Sequence, residues 1–128
     1  ICADIEDQIM GLDNEEREIF MKEIGLGKTG LIQLIREGYD LLNLDTYFTS
    51  GPEESRAWTV KKNTLAPQAA AVIHTDFEKN FIRAEAVSCD DFIKYGSSEK
   101  CKDNGKLRIE GKDYIVKDGD VLFFRVNP

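Results

Sequence analysis

The sequence predicts an α+β protein, with short helices first and then a small mixed sheet crossed by one helix. Three observations predict it. Apolar residues recur at helical spacing between Ile5 and Leu42. From Asp45 the period drops to two, in a run rich in aromatic and β-branched residues. Residues 56–85 then read as strand, tight turn, short helix and second strand.

The first 43 residues predict three helices. Ile5, Ile9 and Leu12 form one stripe. Asp13-Asn14-Glu15-Glu16 has the Asp-x-x-Glu form of a helix start. Ile19, Phe20 and Ile24 line the second helix, and Gly25 fits its stop. Thr29 is the expected cap of a third helix striped by Leu31, Leu34, Ile35, Leu41 and Leu42. These short, one-sided stripes suit packing on one another or docking on a sheet that the chain does not contain.

Residues 45–60 read as a hairpin turning at Gly51-Pro52-Glu53-Glu54. Lys61-Lys62-Asn63-Thr64 is the next turn. A helix starts near Ala66 or Pro67, where proline fits the first turn. Ala69, Val72, Ile73 and Phe77 are expected to face the sheet. Phe81 to Val87 alternates as a third strand, and Asp90 to Tyr95 is a short helix or turn. Residues 96–105 are polar and read as a loop. Residues 107–109, 114–116 and 121–126 are the remaining strand candidates. Hairpin, helix and closing strands make a small grasp, with one sheet face covered and the other partly open.

Net charge is −7 but unevenly spread. Residues 1–55 carry 4 basic and 13 acidic side chains, 56–83 carry 5 and 2, and 84–128 carry 8 and 9. An acidic chain is a poor non-specific binder of nucleic acid, but a local positive face can still dock on RNA. Lys61, Lys62, Lys79 and Arg83 are either a solvated face or phosphate contacts. Trp58 either plugs the core or its rim, or offers a stacking platform to a base. His74 is expected to end the short helix and bond locally, with a binding role as the alternative. Asp118-Gly119-Asp120 is read as a turn.

Catalytic signals are sparse. One histidine excludes paired-histidine metal sites, and no metal site is expected. A nucleophilic group of His74, Asp76 and Ser88 or Cys89 needs contacts that the sequence does not show. Gly25-Leu26-Gly27-Lys28-Thr29 ends like a phosphate-binding loop. The position that needs the leading glycine is Lys22, and a helix precedes it where a strand is required. The three cysteines, Cys2, Cys89 and Cys101, are odd in number and have no Cys-x-x-Cys spacing; they read as reduced thiols of a cytoplasmic protein. No leader or membrane span is apparent. The chain opens on Ile1-Cys2-Ala3 rather than methionine, which predicts a fragment or a processed chain.

Several blocks carry a resemblance. They are Tyr47-Phe48-Thr49-Ser50-Gly51, Arg56-Ala57-Trp58-Thr59, Ala66-Pro67-Gln68-Ala69-Ala70, Ile73-His74-Thr75-Asp76-Phe77-Glu78-Lys79, Phe81-Ile82-Arg83-Ala84-Glu85 and the run from Gly111 to Asp120. In this order they resemble the C-terminal region of the YchF/Obg-like ATPase family. Cys2-Ala3-Asp4-Ile5-Glu6 is similar to the element that closes that family's nucleotide-binding domain.

The resemblance implies two parts. Residues 1–43 would be the helical end of a truncated P-loop NTPase domain, and 44–128 a TGS domain of ubiquitin-like β-grasp fold. The parent would hydrolyse ATP or GTP with Mg2+ and associate with ribosomes. The phosphate-binding loop is absent, so the fragment is expected to hold no cofactor and hydrolyse no nucleotide. Cys2 and Ala3 would be a remnant of the nucleotide pocket. Arg56, Trp58, Lys61, Lys62, His74, Lys79 and Arg83 are the candidate RNA- or ribosome-binding residues. The alternatives are a protein–protein module without nucleic-acid contact, and an enzyme in its own right. The expected partners are the ribosome or RNA, the missing ATPase domain, and a second copy through the exposed helical stripes. No membrane is expected.

Overall fold

The computed structural model describes residues 1–128. The chain forms two compact units, Ile1–Leu42 and Asn43–Pro128.

The first unit holds α1 (Ala3–Met10), α2 (Asn14–Glu23) and α3 (Gly30–Leu41). Their ends follow the sequence chemistry. Asp13 accepts the Glu16 N–H at 2.9 Å while the Glu16 carboxylate accepts the Asp13 N–H at 3.3 Å, a reciprocal capping box. Gly25 sits at φ +72°, where a side chain would be strained. Its N–H bonds to the Lys22 carbonyl and that of Leu26 to the Met21 carbonyl, so α2 stops in a Schellman motif. Thr29 Oγ1 accepts the Ile32 N–H and starts α3. The stripes are not buried. Ile9 is the one large apolar side chain fully buried, while Leu31, Leu34, Ile35 and Leu41 are each more than half exposed.

The second unit is a five-stranded mixed sheet in the order β2-β1-β5-β3-β4. Its strands are β1 (Leu44–Ser50), β2 (Ser55–Lys61), β3 (Phe81–Ser88), β4 (Arg108–Glu110) and β5 (Asp120–Val126). β5 lies in the centre, parallel to β1 and antiparallel to β3. α4 (Ala66–Ile73) and α5 (Asp76–Lys79) follow the hairpin. α4 lies on one face, and its buried Ala66, Ala69 and Ala70 allow a close approach. Tyr47, Val60, Ala86 and Leu122 rise from the strands to meet it, with Phe124 partly buried beside them. The Tyr47 hydroxyl is fully buried and donates to the Ala69 carbonyl at 2.8 Å, and burial pushes its pKa up. A bulge between Phe81 and Arg83 turns both Phe81 and Ala84 into the core.

Four sequence expectations are corrected. Val72, expected to face the sheet, is 47% exposed on α4, because the buried stripe of that helix runs through Ala66, Ala69 and Ala70. The polar stretch 96–105 contains a helix, α7 (Ser98–Asp103), which follows α6 (Cys89–Tyr95). Ser97 Oγ accepts the Lys100 N–H, and Cys101 is fully buried. One inward residue gives no periodicity to read. Residues 114–116 form a single bridge, Leu65 to Ile115, rather than a sheet strand. The Tyr114 carbonyl accepts the Ala66 N–H at 2.8 Å, an orphan donor of the first turn of α4, and Val116 N–H donates to the Thr64 carbonyl. Asp120 is more than a turn former. It is 3% exposed. Its Oδ2 accepts from the Tyr114 hydroxyl at 2.5 Å and the Lys117 N–H at 3.0 Å, and Oδ1 accepts from Arg108 at 3.4 Å.

Removing that carboxylate strands a hydroxyl, an amide and a guanidinium. Asp120→Ala should cost about 2–4 kcal/mol, measured by urea unfolding followed through the single tryptophan. Tyr114→Phe should cost only about 1 kcal/mol. A cost below about 0.5 kcal/mol for Asp120→Ala would show that the network is not supporting the sheet.

Candidate nucleic-acid interface

Strand alternation sorts the candidate residues onto faces. The β1–β2 register sets Trp58 opposite Tyr47 and Arg56 opposite Thr49. Arg56, Trp58 and Val60 therefore share the face that α4 covers. Trp58 is half-buried at the core rim, and its Nε1 donates to Thr49 Oγ1 at 2.9 Å. The Arg56 guanidinium lies 4.1 Å from the Trp58 ring centroid. The pair forms an exposed cation on an aromatic base, and a nucleobase would stack on or displace Arg56.

The other candidates lie elsewhere. Lys61 points to the opposite face of β2 from Trp58, and Lys62 opens the turn into α4. His74 ends α4, and its Nδ1 accepts the Asp76 N–H at 3.2 Å. Its ring sits 5.6 Å from that of Phe77. Lys79 is exposed in the last turn of α5.

Arg83 stands on the open face of β3. There it approaches Glu85 at 3.5 Å, and Arg125 from β5 grips the same carboxylate at 3.1 and 3.3 Å. Hydrogen bonds from Arg125 hold the Glu85 pKa below the ordinary carboxylate value against the opposing effect of burial. Arg125 was missed in the sequence because the β3–β5 register, which alone sets it opposite Arg83, cannot be read from one strand. The same face exposes Ile109 of β4, opposite Glu85.

The two residues expected at a nucleotide pocket open the first unit. Cys2 is exposed at the N-cap of α1, and Ala3 is the first residue of that helix. A cavity of about 180 Å³ is lined by Cys2, Ile5, Glu6, Lys28, Gly30 and Gln33, among others. Glu6 Oε1 fills its polar side by accepting the Gly30 N–H at 2.6 Å. Lys28 and Thr29 join two helices, and the Thr29 hydroxyl serves as a cap. These residues do not fit a triphosphate and its magnesium: no strand leads into the glycines, and the start of α3 already holds a carboxylate. No three His, Cys, Asp or Glu side chains gather so as to hold a metal ion.

The catalytic alternative gains no geometry. The Ser88 hydroxyl donates to Asp91 Oδ2 and accepts the Asp91 N–H, the bonds of an α6 cap. All three cysteines are free thiols, and burial pushes the Cys101 pKa up. No helix is long and apolar enough to cross a membrane.

Helices on a mixed five-stranded sheet define an α+β module: α4 covers one face, while the other is buried at Val87 and Val121, where Phe92 of α6 meets Phe123, and open around Glu85. A family model named YchF-GTPase_C, described as a protein of unknown function (DUF933), matches residues 44–127. The chain belongs to the YchF family. It is 58% identical over 127 residues to the ribosome-binding ATPase YchF of Escherichia coli O157:H7, covering 99% of this chain and 35% of that protein. It is 50% identical to the Bacillus subtilis protein of the same name, with the same coverage. It is 46% identical to Obg-like ATPase 1 of Pongo abelii, over 96% of this chain and 31% of that protein. The structure of the Schizosaccharomyces pombe YchF GTPase superposes with a TM-score of 0.75 at 39% identity, covering 94% of this chain and 32% of that one. The chain thus spans about a third of the length of these relatives.

The Glu85 pair carries a pH signature. A depressed carboxyl pKa contributes stability above the unfolded value of about 4.3 and loses it as pH falls through the folded value. At pH 7 the wild type should exceed Glu85→Gln by roughly 0.5–1 kcal/mol, and the gap should close in strong acid. Urea titrations across the acid range measure it; a gap independent of pH would contradict the pairing.

Proposed function

We propose that this chain is the C-terminal part of a ribosome-associated P-loop ATPase of the YchF type, and that its sheet unit docks the parent on RNA or the ribosome. The identity of 58% over 99% of the chain to a protein named ribosome-binding ATPase carries this reading. The strand order β2-β1-β5-β3-β4 with α4 across one face supports assigning the unit as a ubiquitin-like β-grasp of the TGS type. The Arg56–Trp58 pair and the cations Lys61, Lys62, Lys79 and Arg83 would meet phosphates and bases. ATP or GTP and Mg2+ would bind in the part of the parent that lies outside this chain, and this chain alone would turn over no nucleotide. In this reading Cys2 and Ala3 close the base side of that pocket. The exposed stripes of α3 would be covered by the ATPase domain or by self-association. The protein would work in the cytoplasm.

One observation favours a second reading. The open part of the sheet face carries Ile109, 67% exposed and opposite Glu85 in the β3–β4 register, beside the Glu85 ion pairs. An apolar side chain beside paired charges suits a protein partner, so the module would regulate its NTPase by direct contact.

Co-sedimentation with purified ribosomes at low and moderate salt separates the two. The first reading expects binding that falls as salt rises. A triple reversal, Lys61→Glu with Lys62→Glu and Arg83→Glu, should reduce it at least about tenfold. No pelleting at low salt would contradict ribosome docking by this unit. Binding insensitive to salt and to the reversals would favour the protein-contact reading.

A further inference from the structure

We propose that β2 pairs antiparallel with β2 of a second copy of this chain, joining two five-stranded sheets into one. β2 is an edge strand, and of the usual protections of an edge it keeps only charge, at Arg56 and Lys61. It runs seven residues without proline or glycine, and its register with β1 is unbroken from Ser55 to Lys61. The opposite edge, β4, is blunted to three residues.

The ladder shows which backbone groups face outward. Lys62 N–H donates to the Asn43 carbonyl, and Gly51 N–H to the Glu54 carbonyl. Between these bonds, alternation spends the backbone groups of Arg56, Trp58 and Val60 on β1. Those of Ser55, Ala57 and Thr59 point away from it. Their side chains are small and exposed, leaving room for an incoming strand. The Lys61 carbonyl already accepts from Thr64, so the outward row ends there.

Charge selects the occupant. The segment from Glu53 to Lys62 is acidic at its start and basic at its end. A two-fold axis at Trp58 pairs the whole strand with its own copy. Ala57 then exchanges hydrogen bonds with Thr59 of the second copy, and Lys61 N–H donates to its Ser55 carbonyl. The same register sets Glu54 opposite Lys62 and Arg56 opposite Val60, with no like charges facing. Shifting it by two residues toward the basic end brings Arg56 against Lys62. A strand whose charges complement their own reversal suits a second copy better than an unrelated peptide. The pairing goes beyond ribosome docking and stands or falls without it.

Sedimentation velocity of the 128-residue chain over roughly 1–500 μM tests the pairing. A reversible monomer–dimer equilibrium is expected. Thr59→Pro removes an outward N–H and leaves the β1 ladder intact, so it should raise the dimer Kd at least about tenfold with an unchanged near-UV circular dichroism spectrum. Glu54→Lys and Lys62→Glu should each weaken the dimer, and an equimolar mixture of the two should restore it. A wild type that stays monomeric, a dimer that survives Thr59→Pro, or a mixture no tighter than either variant alone overturns the proposal; the second outcome would mean association elsewhere, as through the helical stripes.

Discussion

The sheet depends on one turn, Lys117 to Asp120. Hydrogen bonds at this turn tie the central strand to its surroundings. Asp118 Oδ1 accepts the Thr46 N–H, and Gly119 N–H donates to the Thr46 carbonyl, which fixes β1 against β5. The Gly119 carbonyl accepts the Cys89 N–H, which fixes the start of α6 after β3. Lys117 N–H closes the turn on Asp120, whose carboxylate also holds Tyr114 and Arg108. Gly119 stands at φ +83°, a conformation that a side chain would strain. β5 pairs with both β1 and β3, so an error at its first residue would shift both ladders. Desolvation by burial and the hydrogen bond to Asp120 together push the Tyr114 pKa up to about 12, so the network keeps its proton through the neutral range.

That constraint shapes what the module presents to a partner. α4 closes one face, and the opposite face keeps its charges in pairs, with Glu85 between Arg83 and Arg125. The basic residues that cluster in the sequence are thereby divided. Arg56 rests on Trp58, Lys61 faces the other way, and His74 and Lys79 sit where the chain returns from α4 to β3. A partner that touches all of them would have to wrap an edge of the sheet. A partner that touches one group would read either a stacked cation or a charge-paired apolar face.

Much of this was legible because the chemistry is local. Asp13 with Glu16, Thr29 and Gly25 mark helix ends within four residues of the groups they satisfy. Period-two alternation found the hairpin and β3, and the family resemblance reached the same region that the family model matches. The failures were non-local. Asp120 looks like any turn aspartate until Tyr114 and Arg108, six and twelve residues away, fold over it. Residues 114–116 have the composition of a strand, but both sides of β5 are taken and the orphan Ala66 N–H needs an acceptor. α7 hid behind polar residues because it buries a single cysteine. The division of the candidate residues between two faces was available from alternation along β2, where Trp58 and Lys61 differ by an odd number.

The two units differ in how they meet the cost of folding. The sheet unit buries a continuous core under α4, while the helical unit leaves most of its apolar stripe in water. Native-state amide hydrogen exchange on the whole chain tests this contrast most directly. The slowest amides should lie in β1, β3 and β5 and include Thr46, Lys117 and Cys89, while α1 to α3 should exchange far faster and with less dependence on denaturant. Equal protection in α3 and β5 would contradict the account, because it would give the helices a core of their own.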